Sequence, residues 1–63
     1  MNKKEALKIV KKDGSKLINL PTHFKKDKEI VLAAMKRNGN ALVYADESLK
    51  KNKEIVFAAV KQN

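Results

Sequence analysis

Apolar residues recur along this chain with a helical step. Ala6, Leu7, Ile9 and Val10 fall three and four apart, and the same spacing returns, more densely, at residues 30–35 and 55–60. None of these patches alternates with period two, so strand assignments fail. Asp27 and Asn52 stand one residue before the second and third segments, where a short polar side chain can accept the unpaired amides of a first helical turn. Glu29 and Glu54 follow near the positive end of the helix dipole, and Lys11, Lys12, Lys36 and Arg37 lie near the negative end. The pattern predicts long helices over 3–12, 28–38 and 53–62. Gly14 and Gly39 are expected to close the first two in the left-handed conformation that glycine adopts without strain. Shorter apolar patches follow at 15–20 and 40–45, read as helices of one or two turns capped by Ser15 and Asn40. Pro21 ends the first of these, and residues 22–25 and 47–50 are read as one-turn segments that return Phe24 and Leu49 to the core.

These elements repeat. Residues 28–38 read KEIVLAAMKRN and residues 53–63 read KEIVFAAVKQN, with eight of eleven positions identical. Moving back a further 25 residues aligns 3–27 with 28–52 without a gap, pairing Leu7 with Leu32, Gly14 with Gly39, Leu17 with Leu42 and Phe24 with Leu49. The chain is therefore expected to be one all-α domain over residues 1–63. It is a solenoid-like array of alternating long and short helices with units 3–27 and 28–52 and a partial unit 53–63, about two and a half repeats.

The copies differ in an informative way. Residues 30–35 are apolar all round, which suits a central helix covered on more than one side. In the first copy Glu5, Lys8 and Lys12 replace Ile30, Ala33 and Arg37, and these three share one helical face. A polar outer face is what a terminal, water-facing repeat requires, so Met1 reads as the start of the array. The third copy keeps the interior pattern through Val56, Phe57 and Val60, with no residue after Asn63 to cover it and no capping glycine following. Exposed apolar patches mark interaction surfaces, so Val56, Phe57 and Val60 are the candidate partner surface, for an unknown protein or for self-association.

Composition adds bounds. A 63-residue chain supports only a small core, and without cysteine neither a disulfide nor a thiolate metal site is available. The longest apolar run, Ile30–Met35, is far short of the roughly 20 residues of a membrane span, so no membrane partner is expected and a cytoplasmic setting is the default. The formal charge is +8, yet of 15 basic residues all but Arg37 are lysine, which lacks the planar fork that grips phosphate and base edges. Lys25, Lys26 and Lys28 recur as Lys50, Lys51 and Lys53, an edge that could attract a polyanion weakly and without sequence preference. Nucleic acid is the alternative partner on that account. A helix-turn-helix centred on Gly39 would bring Asp46 and Glu47 toward DNA with no arginine in the recognition helix, and it is set aside.

Residues 27–63, with their DKEIVLAAMKRNGNALVYA unit and second KEIVFAAVKQN, resemble the short tandem α-helical repeats of unknown function found in bacterial and some protist proteins, whose units look like DKEVVLAAVKQNGxALxYAS followed by ELKNDKE. Residues 3–26 follow that pattern more loosely, with LINLPTHF in place of ALVYADESL. The resemblance implies a helical array without established activity and carries over no catalytic or binding residue. The residues themselves point the same way. His23 is the only histidine, and Ser15, Ser48, Asp13, Asp27, Asp46 and Glu47 match no nucleophile or metal-ligand spacing, so neither an enzyme nor a cofactor is expected.

Overall fold

The computed structural model describes residues 1–62. Three ten-residue helices carry the fold: α1 (Lys3–Lys12), α3 (Lys28–Arg37) and α5 (Lys53–Gln62). Between them lie two six-residue 3₁₀ helices, η1 (Gly14–Asn19) and η2 (Gly39–Tyr44), and two single turns, α2 (Thr22–Lys25) and α4 (Glu47–Lys50). Among the described residues there is no strand. Every element recurs at the 25-residue offset of the sequence repeat, so the molecule is all-α and built of long and short helices in alternation. The long helices pack side by side, α1 on α3 and α3 on α5, while η1 and η2 pack on each other and on the long helices.

Helix starts form where short polar residues stand before the first turn. Asp27 Oδ1 accepts from the Glu29 and Ile30 amides, and Asn52 Oδ1 does the same for Glu54 and Ile55. Asn2 was not among the caps read from the sequence. It accepts from the Glu5 amide at 2.9 Å while Glu5 Oε1 receives the Asn2 amide at 3.3 Å, a reciprocal capping box.

Helix ends correct two expectations. Neither Gly14 nor Gly39 adopts positive φ; Asp13 and Asn38 end the helices in extended conformation, and each glycine is the first residue of a 3₁₀ helix. Glycine is needed at position 14 for a different reason. A Cβ there would stand 2.3 Å from the carbonyl oxygen of Ala34, so the side chain is missing because the next repeat's backbone occupies its place. Ser15 and Asn40 are not the caps of the short helices. Asp13 caps η1 through its bonds from the Ser15 amide and hydroxyl, whereas the Asn38 side chain makes no bond to its own η2. The expectation attached to Asn63 lies outside the described residues.

The core runs between the long-helix row and the short elements. Ala6, Val10, Leu17, Ile30, Val31, Ala34, Met35, Ala41 and Ile55 are fully or almost fully enclosed, with Leu20, Phe24, Ala45 and Leu49 closing the short-helix side. Helix α3 buries residues on several sides and is the central element, while Glu5, Lys8 and Lys12 on the outer side of α1 are exposed.

Candidate protein-interaction face

The same three positions of the long helix can be followed through three copies. Val10, Met35 and Val60 correspond, and their exposures are 0%, 1% and 68%. Ala6, Val31 and Val56 correspond as well, at 0%, 0% and 40%, and Phe57, the counterpart of half-buried Leu7 and Leu32, is 64% exposed. In the first two copies the side chains equivalent to Val56 and Val60 are enclosed by the 3₁₀ helix that follows and by the next long helix, while those equivalent to Phe57 are partly covered. Over α5 nothing among the described residues takes either place. Val56, Phe57 and Val60 thus form a continuous apolar ridge, since residues three and four apart share one face of a helix. The Lys61 ammonium sits 5.5 Å from the centre of the Phe57 ring, within range of a cation–π contact, and borders the ridge.

Polar contacts between repeats surround the apolar seams. Lys3 Nζ reaches Glu29 at 2.9 Å and Asp27 at 3.2 Å, and one repeat later Lys28 Nζ reaches Glu54 at 2.6 Å. The bond to Glu29, then that to Asp27, raises the Lys3 pKa above its ordinary value. Gly14 donates its amide to Asn38 Oδ1 at 2.9 Å, and Arg37 Nε donates to the Lys12 carbonyl, closing the C-terminal end of α1 from the next helix. The Asp46 amide donates to the Lys25 carbonyl of the preceding repeat, a bond that Pro21, at the equivalent position, has no N–H to make.

A family model described as a domain of unknown function, DUF4116, matches residues 2–47 and again residues 27–63. The chain belongs to that family. Its two overlapping matches agree with a repeated unit. Neither a curated protein nor a solved structure matches the chain. Membership in DUF4116 assigns no activity, and the reading of function rests on the residues.

The six lysines of the basic edge do not form an unopposed cationic surface. Lys26, Lys51 and Lys53 are exposed, while Lys25, Lys28 and Lys50 are half-buried. Glu54 holds Lys28, and the Asp46 carboxyl, kept below its ordinary value first by the Ser48 hydroxyl and amide, is favoured in its charged form more weakly by Lys26 and Lys50. His23 is exposed, with its ring 4.1 Å from that of Phe24.

One feature escaped the sequence reading. Leu7, Leu32, Ala33 and Ala58 floor an open groove of about 650 Å³ across the three long helices, and Lys11, Lys36 and Lys61 stand along it at repeat-equivalent positions. The 25-residue recurrence of Lys11, Lys36 and Lys61 was visible in the sequence. Their common groove was not, because which flank of each helix stays uncovered depends on where the short helices pack.

Proposed function

We propose that this chain is a non-enzymatic binding or scaffolding module whose docking surface is the outer face of α5. What supports the reading is the exposure of Val56 and Val60 at positions buried in the preceding repeats, and of Phe57 at a position half-buried there. A helix with its interior residues turned to solvent gains free energy on any contact that covers them, at roughly 25 cal/mol per Å² of apolar surface removed from water. The partner is a protein surface or a second copy. The module has no catalytic role and no cofactor on this reading. No described helix is long and apolar enough to cross a membrane.

Light scattering and apolar-dye binding over a dilution series test it. Dye binding or reversible association that disappears in Phe57→Ser/Val60→Ser is the supporting result. A strict monomer that binds no dye, with α5 protected throughout in amide exchange, counts against the surface.

A second reading, weak polyanion binding along Lys25, Lys26, Lys28, Lys50, Lys51 and Lys53, draws support from the exposure of Lys26, Lys51 and Lys53. The acids among these lysines weaken it, because each carboxylate reduces the counterion release that drives phosphate binding. Titration of labelled single- and double-stranded DNA decides it: absence of binding at low salt removes this reading.

A further inference from the structure

The partner of the α5 face can be specified from the two interfaces already present, on the condition that the face is a docking surface. In both, a long helix offers a lysine in its first turn and an apolar ridge behind it: Lys3 with Ala6, Leu7 and Val10, then Lys28 with Val31, Leu32 and Met35. The helix it meets offers a glutamate and, next to it, an isoleucine. Glu29 with Ile30 takes this part in α3, and Glu54 with Ile55 in α5. Ile55 is completely buried although α5 is covered on one side only, so this edge is the one turned to the preceding helix. Lys53, Val56, Phe57 and Val60 form a third lysine-and-ridge face, and all four are exposed.

We infer that the α5 face docks a helix that presents a glutamate opposite Lys53 and an adjoining Ile/Ala/Ala edge of the kind formed by Glu29, Ile30, Ala33 and Ala34. A second copy of this chain does not offer it. Its α3 and α5 edges are already packed in its own fold, and α1 carries Lys4, Glu5 and Lys8 where the edge needs Glu, Ile and Ala. Stacking α1 of one molecule on α5 of another sets Lys4 against Lys53 and places two charges in an apolar seam. Like-charge juxtaposition and unpaired buried charge both oppose association.

That obstacle supplies the test. The variant Lys4→Glu/Glu5→Ile/Lys8→Ala gives the full chain a free edge of the required chemistry. Its folding is checked by circular dichroism and its mass by sedimentation against concentration. It is expected to assemble head to tail, with mass climbing through multiples of the 7.1 kDa monomer. Adding Phe57→Lys returns it to monomer, and adding Lys53→Glu weakens assembly. A folded triple variant with the same mass as the unaltered protein overturns the inference, as does assembly that survives Phe57→Lys. If the triple variant stays unassembled while the unaltered protein still associates through α5, the partner chemistry is wrong and the docking face stands; if neither associates, the partner chemistry falls, and dye binding and amide exchange of the unaltered protein decide the docking face. Should losing the Glu5–Asn2 contact unfold the triple variant, Lys4→Glu/Lys8→Ala keeps the capping box and is measured in the same way. It must associate at least about tenfold more tightly than the unaltered chain, a difference of roughly 1.4 kcal/mol, and equal association overturns the inference.

Discussion

Asn38 Oδ1 accepts the amide hydrogen of Gly14 at 2.9 Å, joining the end of one repeat's long helix to the start of the previous repeat's 3₁₀ helix. Gly14 is buried and has its amide directed at that oxygen, while the space for a side chain is filled by the Ala34 carbonyl. The two residues thus fix how closely successive repeats approach.

Gly14→Ala should be costly. Its methyl group would overlap backbone atoms of α3, which cannot swing aside as a flexible side chain can, so the loss is expected at the upper end of the 1–3 kcal/mol typical of overpacking. Asn38→Ala leaves a buried amide unsatisfied, at about 1–3 kcal/mol. Urea denaturation followed by circular dichroism measures both; a Gly14→Ala protein as stable as the parent would show that η1 and α3 can move apart freely.

Equivalent positions in different repeats should respond differently to truncation. Met35→Ala removes a fully packed side chain and is expected to cost about 2–5 kcal/mol. Val60→Ala, at the corresponding position of α5, should change stability by less than about 0.5 kcal/mol because the side chain is already in water. Comparable losses at the two sites would mean that α5 is covered in solution.

Acid should destabilise the fold through its turn aspartates. The Ser15 hydroxyl and then the Ser15 amide hold the Asp13 carboxyl below its ordinary value, and Ser48 acts in the same order on Asp46. A depressed folded pKa means that the stabilisation is fully present above the ordinary aspartate value of 3.8 and is lost as pH falls through the folded pKa. NMR titration of Ser15→Ala should show the Asp13 midpoint rising and that of Asp46 unchanged.

Removing the cap of α5 should loosen that helix before the rest. Asn52→Ala leaves the Glu54 and Ile55 amides without their acceptor, at about 1 kcal/mol, whereas Asn52→Asp should be neutral or better because a carboxylate also favours the positive helix end. Amide exchange is the measurement: acceleration confined to residues 53–62 is expected, and uniform acceleration would show that α5 is not a separate unit of opening.

The basic edge and the α5 ridge differ in how far residue identity could determine them. By itself the sequence determined the helices, their starts at Asp27 and Asn52, the one-turn returns of Phe24 and Leu49, the central place of α3 and the interior character of Val56, Phe57 and Val60. Helical period and capping act within a few residues, and the 25-residue repeat projects any local assignment onto the next copy. Tertiary structure decided what the residues between repeats do. Gly14 looked like a left-handed helix stop and is a point of close approach, where Asn38 of the next repeat accepts its amide. Lys28 looked like one of six free charges and is held by Glu54, and the groove along Lys11, Lys36 and Lys61 appears only once the long helices lie side by side. Each of these depends on a partner about 25 residues away, and the distance and direction of that partner follow from how the repeats stack, which no local pattern specifies.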